Sequence, residues 1–143
     1  MKKADLITFL RDPVERLLSL YHHLNIAPHH GGKLGLYVFK HNPSLTDFAK
    51  SPLAVDYGFS FLQQFEPSQF KYIGFVESFD KSIKRFYKTF NLSGKPSFYH
   101  INKIERNLVR KISKKDYNFI RDINKKQFIW YENAIEKFNN YNL

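Results

Sequence analysis

Two stretches of the chain carry the pattern of a buried strand followed at once by an amphipathic helix. In the first, the apolar run Leu6–Leu10 is rich in strand-forming residues and predicts a buried strand. Asp12 then predicts a helix N-cap, Pro13 fits the first helical position, and Glu15 stands where a capping box needs it. Apolar residues continue at helical spacing to about Asn25, at Val14, Leu17, Leu18, Tyr21 and Leu24.

The second stretch repeats this order about sixty residues further on. Residues 70–76 predict a strand, and Ser78 predicts the N-cap of the helix that follows it. The inner face of that helix is predicted at Phe79, Ile83, Phe86, Tyr87 and Phe90, and the turn at residues 93–96 stops it. Two strand–helix units favour parallel strands, although two strands are few for a whole sheet.

The remaining segments predict mainly helices. A loop is expected at residues 28–35, then a short helix capped by Ser44 and ended by Pro52, and a helical segment over residues 57–65. Ser113 predicts the capping box of another helix. The last helix places four apolar residues on one stripe, which favours core packing over a membrane-surface or partner helix: Phe128, Tyr131, Ile135 and Phe138. We therefore expect a helix-rich α/β domain over residues 1–143, with few parallel strands.

Composition narrows the class of protein without selecting a function. With 143 residues the chain is one domain or part of one, and 43% hydrophobic residues are enough to fill a core. No segment approaches the roughly 20 apolar residues of a membrane span, and the N-terminus lacks a signal-peptide pattern. Because there is no cysteine, disulfides, thiolate metal sites and a cysteine nucleophile are excluded.

The net charge of +10 is spread along the chain, and the C-terminal third is the most basic. A basic surface attracts any polyanion, whether nucleic acid, sulfated glycan, nucleotide or anionic lipid. Solvated helix faces explain the same charge equally well. Since the chain contains no zinc finger, no RNP-type aromatic signature and no GXXG clamp, we do not expect nucleic acid as a partner.

Residues 8–21 form the most informative segment. The predicted strand ends at Arg11, and a capped helix begins immediately. Backbone N–H groups and the positive end of the helix dipole then face the crevice where anions bind in open α/β sheets. Arg11 offers a planar, bidentate phosphate donor, and Ser19 follows about two helical turns later. The alternative is a surface Arg11 paired with Asp12 or Glu15, and a Ser19 that only packs.

This segment resembles the 3′-phosphate-binding motif of sulfotransferases that use 3′-phosphoadenosine 5′-phosphosulfate (PAPS), most closely the Golgi-type carbohydrate sulfotransferases and their bacterial relatives. The family pattern is matched throughout, at Arg11, Asp12-Pro13, Arg16, Ser19 and Tyr21. Residues 72–82 are similar to the family's later strand and helix, and the resemblance extends over residues 6–138. One departure is Gln127, which stands where relatives often have Asp four residues before a Tyr.

The resemblance implies a P-loop-like sulfotransferase fold. It also implies transfer of a sulfuryl group from PAPS to a hydroxyl group, and we expect that hydroxyl to belong to a carbohydrate. It implies that Arg11 and Ser19 bind the 3′-phosphate of the cofactor, that Arg16 and Tyr21 are structural, and that no metal is needed. The location expected is the cytoplasm for a bacterial enzyme, or the Golgi lumen for part of a eukaryotic one.

Two parts of the family's machinery have no counterpart in this sequence. No Gly-rich loop followed by Lys-Ser or Lys-Thr, which would cradle the 5′-phosphosulfate, occurs in the 143 residues. The general base of relatives also usually precedes the arginine motif, so the base is unknown here. We therefore expect a fragment of a longer enzyme, a chain completed by a partner, or a decayed relative. The alternative function is non-catalytic binding of an anionic nucleotide or a sulfated glycan.

Four histidines lie near the end of the first predicted helix, and each is a candidate general base: His22, His23, His29 and His30. A joint metal site is disfavoured because adjacent residues point apart on a helix. Glu77 stands at the end of the second predicted strand, which places it nearer the crevice than the histidines. For Glu77 we expect a structural role, either capping or pairing with a nearby Lys or Arg.

Overall fold

The computed structural model describes residues 5–94 and 112–140, with side chains described to residue 137. Within these ranges the chain forms two strands and eight α-helices. Their order is β1 (Leu6–Leu10), α1 (Pro13–Ile26), α2 (Gly32–His41), α3 (Leu45–Lys50), α4 (Pro52–Val55), α5 (Phe59–Leu62), β2 (Phe70–Phe75), α6 (Phe79–Thr89), α7 (Lys114–Ile123) and α8 (Lys125–Asn140). Single turns of 3₁₀-helix occupy Pro28–Gly31, Pro67–Gln69 and Val76–Ser78.

The two strands pair in parallel, as the two strand–helix units predict. The register runs from Leu6 opposite Phe70 to Leu10 opposite Phe75, with an irregularity between Leu6 and Ile7. Because parallel neighbours begin and end together, the carboxyl ends of both strands meet at one edge, next to the N-terminus of α1. The fold is therefore a helix-rich α/β arrangement with a small parallel sheet.

The buried apolar side chains of the described residues form two clusters. The larger joins α1 to α2, α3 and α7 around fully buried Leu17 and Phe48. The second lies under the sheet, where Trp130 and Ala134 of α8 pack against Leu10 and Phe75. The core positions predicted on the first helix are confirmed, since Val14, Leu17, Leu18 and Leu24 are all buried.

The loop expected at residues 28–35 is wrong, because this segment forms a 3₁₀ turn and the first turn of α2. Gly35 allows the close packing of these two elements. A Cβ atom built at Gly35 lies only 1.7 Å from the carbonyl oxygen of Pro28. The glycine that suggested a loop is therefore required for helix packing. Helix α2 ends at His41, and the next residue, Asn42, takes a left-handed φ of 41°.

Other boundaries differ in smaller ways. The helix expected over residues 57–65 is reduced to α5, because Gly58 takes a left-handed φ of 75°. Ser44 and Ser113 cap α3 and α7 as predicted, whereas the Ser78 side chain makes no capping hydrogen bond. On α6 the fully buried side chain is Ser82, and Phe79 stays 39% exposed. Most of the turn at residues 93–96 and the side chain of Phe138 lie outside the described part.

No helix within residues 5–94 and 112–140 combines the length and the apolar character needed to cross a bilayer.

Candidate functional site

The candidate site lies where β1 and β2 end and α1 begins. Asp12 caps α1 with its Oδ1 atom, which accepts hydrogen bonds from the backbone N–H groups of Val14 at 2.9 Å and Glu15 at 3.0 Å. Pro13 has no N–H, and the N–H of Arg16 donates to the Asp12 carbonyl at 2.8 Å. The first-turn donors of α1 are therefore already used. This corrects the expectation that backbone N–H groups face the crevice, and leaves side chains as the anion donors.

Glu77 connects the ends of the two strands to α8. Its Oε1 accepts the backbone N–H of Asp12 at 2.7 Å, and its Oε2 accepts the Tyr131 hydroxyl at 3.1 Å. The predicted capping role of Glu77 is confirmed. Within the described residues its side-chain partner is a tyrosine, and the predicted pairing with Lys or Arg is not found. Since Glu77 holds the Asp12 N–H, the capping box predicted for Glu15 does not form.

Arg11 follows β1 directly and pairs with Glu15 of α1. Its Nη2 lies 3.2 Å from Glu15 Oε2, and the two side chains are 28% and 20% exposed. This is the ion pair that the alternative interpretation of the sequence expected. The guanidinium remains partly open to solvent, so this pair does not exclude a further anion at Arg11.

Ser19 lies one helical turn after Glu15 on α1, on the same face of the helix. Ser19 is half-buried. No hydrogen-bond partner for its hydroxyl is present among the described residues. Arg11 precedes the helix and is connected to this face by its ion pair with Glu15.

The Arg16 side chain is hydrogen-bonded to uncharged groups. Its guanidinium donates to the carbonyl of Tyr57 and, at 2.9 Å, to Oε1 of Gln127. Gln127 in turn donates to the Val55 carbonyl. No carboxylate forms an ion pair with Arg16 in the described part of the chain. Its burial lowers the pKa of the Arg16 guanidinium. These contacts tie α1, α4 and α8 together, which is a structural role.

Two acidic groups at this site have raised pKa values. Burial is the main cause that raises the pKa of the Asp12 carboxyl, and the Glu77 charge adds to it, while hydrogen bonds from Glu15 and Val14 act in the opposite direction. Burial also raises the pKa of the Tyr131 hydroxyl far above its ordinary value, and Glu77 raises it further. Tyr131 is therefore a hydrogen-bond donor to Glu77 at all physiological pH values.

A groove of about 460 Å³ is lined by the whole length of β1. Its other walls come mainly from α5 and α8 and are largely apolar. They include Phe59, Phe61, Leu62, Trp130 and Tyr131. The cationic side chains of Arg11 and Arg16 line the same groove. Glu15 and Ser19 do not line it, so Arg11 is the member of the predicted phosphate pair that reaches the groove.

The histidine candidates lie far from this end of α1. His23 Nε2 is 3.1 Å from His30 Nδ1, and the two rings stack. At a rise of about 1.5 Å per residue, His23 is roughly 16 Å along the helix from Asp12. Within residues 5–94 and 112–140 no group of three or more metal-ligating side chains occurs. The structure therefore places the histidine cluster at the opposite end of α1 from Arg11.

Comparisons with protein-family models, with curated proteins and with solved structures give no match.

Proposed function

We propose that this chain is the 3′-phosphate-binding half of a PAPS-dependent sulfotransferase with a P-loop-like fold. Arg11 and Ser19 bind the 3′-phosphate of the nucleotide. The complete enzyme transfers the sulfuryl group to a hydroxyl of a carbohydrate-like acceptor. The proposal rests on the motif of residues 11–21.

One structural observation carries the binding part of the proposal: Arg11 directly follows a parallel strand and directly precedes the N-cap of the helix that contains Ser19. A phosphate bound between the two side chains accepts two hydrogen bonds from the guanidinium and one from the serine hydroxyl. The positive end of the α1 dipole adds to the attraction, although its N–H groups are used by Asp12.

The phosphate must compete with Glu15 for Arg11. An exposed ion pair contributes at most about 1 kcal/mol. A phosphate dianion makes a stronger, bidentate contact with the same guanidinium. Displacement of the Glu15 side chain into solvent is therefore favourable when the nucleotide binds.

Sulfuryl transfer also needs a base for the acceptor hydroxyl and positive charge on the leaving phosphate. The sequence contains no Gly-rich loop followed by Lys-Ser or Lys-Thr. We therefore assign the phosphosulfate cradle and the base to polypeptide outside these 143 residues, either further sequence or a partner.

The test is calorimetric titration with 3′-phosphoadenosine 5′-phosphate and with adenosine 5′-phosphate, which lacks the 3′-phosphate. We expect at least tenfold tighter binding of the first by the wild type. Arg11→Ala removes that preference, since a charged hydrogen bond contributes about 1.5–3 kcal/mol. Ser19→Ala reduces it several-fold.

Arg121→Ala is the matched control, because Arg121 also forms a helix-surface ion pair, with Glu132 at 3.4 Å. This variant should keep the full preference. Equal affinity of the wild type for the two nucleotides, or the same loss in Arg121→Ala as in Arg11→Ala, contradicts the proposal.

The second candidate function is non-catalytic binding of a sulfated glycan or an anionic nucleotide, which the net charge of +10 favours. It predicts binding to a heparin fragment that falls with salt and does not change in Arg11→Ala. That result, together with no preference for the 3′-phosphate, selects the second candidate.

A further inference from the structure

The outer edge of β1 has the character of a strand that needs a second neighbour. Within the described residues β1 pairs only with β2. Its sequence, Leu-Ile-Thr-Phe-Leu, contains no charge and no proline, which are the usual protections of an exposed edge. Continuous apolar runs of this kind are typical of strands covered on both faces.

Both faces of β1 present apolar side chains next to this edge. On one face Ile7 is 44% exposed, and Phe9 is 38% exposed even though it contacts the rings of Phe79 and Phe86 on α6. The apolar groove is lined by side chains from both faces of the strand. By contrast, β2 is buried except for Lys71. Among the described residues, the accessible edge of the sheet is therefore that of β1.

We propose that this edge pairs antiparallel with β1 of a second copy of the chain, so that a two-fold axis joins two sheets into one of four strands. Thr8 is the central residue of β1 and faces Thr8 of the second copy. Leu6 then lies opposite Leu10 of the second copy, and Ile7 lies opposite Phe9 of the second copy. Directly opposite side chains share one face of a sheet, so the two exposed apolar residues cover each other.

The charges that flank β1 fit the same register. Asp5 precedes the strand and Arg11 follows it, each three residues from Thr8. In an antiparallel pair centred on Thr8, Asp5 of each copy therefore faces Arg11 of the other. Asp5 is bound to Lys71, but its side chain is 50% exposed and has a second carboxylate oxygen available. A parallel arrangement would place like charges together, which disfavours it.

This closed arrangement explains why no charged residue protects the edge. A two-fold interface uses the same edge on both copies and leaves neither β1 edge free. Leu6 and Leu10 of the second copy then approach the groove walls at Phe61, which is 57% exposed in one copy. The partner that fits the groove is therefore an apolar strand of this same sequence.

Sedimentation velocity over a range of protein concentrations is the first test. We expect a monomer–dimer equilibrium for the wild type, and at least a tenfold increase of the dimer dissociation constant in Ile7→Lys. Phe39→Lys is the matched control, because Phe39 is 73% exposed on α2, away from β1. It should leave the equilibrium unchanged. A wild type that stays monomeric, or equal effects of both variants, overturns the proposal.

Cross-linking gives a second test that does not depend on the folding of Ile7→Lys. The chain has no cysteine, so a single introduced thiol reports one position. Thr8→Cys should oxidise rapidly to a disulfide-linked dimer, because the two-fold axis passes beside Thr8. Thr46 of α3 is half-buried like Thr8, and Thr46→Cys should cross-link only slowly. Equal rates overturn the proposal, as does a monomer that instead takes up the free β1 peptide as an added strand.

Discussion

At the residue scale, Arg11 and Glu15 form an ion pair at 3.2 Å. In the proposed site, a phosphate and the Glu15 carboxylate compete for the same guanidinium. We therefore expect Glu15 to weaken phosphate binding without touching the ligand.

We predict that Glu15→Gln binds 3′-phosphoadenosine 5′-phosphate about two- to fivefold more tightly than the wild type, since the lost pair contributes about 0.2–1 kcal/mol. Isothermal titration calorimetry at low salt measures the effect. Glu132→Gln removes the corresponding partner of Arg121 and should have no effect. Unchanged or weaker binding by Glu15→Gln would show that Arg11 is not a ligand.

Tyr131 gives the second prediction at this scale. Its raised pKa in the folded chain means that the unfolded chain releases this proton first when pH rises above about 10. The contribution to stability is therefore fully present below pH 10 and is lost above it. The loss is at most about 1.4 kcal/mol per pH unit, and partial exposure reduces it.

Urea unfolding of Tyr131→Phe and of the wild type between pH 8 and pH 11 measures this difference. Tyr131→Phe should be less stable at pH 8, because the Glu77 hydrogen bond is lost, and the gap should narrow toward pH 11. A gap that stays constant with pH would contradict the assignment. Tyr57→Phe, at a 44% exposed tyrosine, is the control.

At the scale of elements, Ser82 joins α6 to β2. Its hydroxyl accepts the Phe75 N–H at 2.8 Å and donates to the Phe75 carbonyl at 3.1 Å, in a fully buried position. The Tyr72 hydroxyl donates to the Ser82 carbonyl from the same strand. The end of β2, and with it Glu77, is therefore held by α6.

Ser82→Ala is expected to lower the free energy of unfolding by about 1–3 kcal/mol, because two hydrogen bonds are lost in a buried place. Chemical denaturation measures this change. Ser60→Ala, at an exposed serine, should change stability by less than about 0.5 kcal/mol. Similar losses in the two variants would refute the role of Ser82.

Elements with strong local signals were predictable. Asp12 and Pro13 mark the start of α1, and the apolar runs of β1 and β2 agree with the structure. The segment around Gly35 was not predictable, because a glycine needed for close packing has the same sequence signature as one in a turn. The sequence also does not show which of Ser78 and Ser82 forms a side-chain hydrogen bond, because the packing of α6 on β2 decides this.

At the scale of the whole molecule, the proposed phosphate site and the proposed pairing edge of β1 share Arg11. Nucleotide preference tests the first, and the oligomeric state tests the second. Either proposal can fail while the other stands, because the two measurements are independent and the dimer test changes Ile7 and Thr8, which are not proposed phosphate ligands. The net charge of +10 attracts anions to the molecule generally, and we propose Arg11 as the specific place for one of them.

The sequence by itself determined the two strand–helix units, their parallel pairing, and Arg11 at the end of a strand, because these depend on local periodicity and capping. Only the tertiary structure decided that Asp12 uses the first N–H groups of α1, that Glu77 bonds to Tyr131, and that β1 has β2 as its one paired strand in the described part of the chain. Those contacts join residues as far as 65 positions apart, as in the bond from Asp12 to Glu77. Periodicity within one segment carries no information about such partners, because packing between elements selects them.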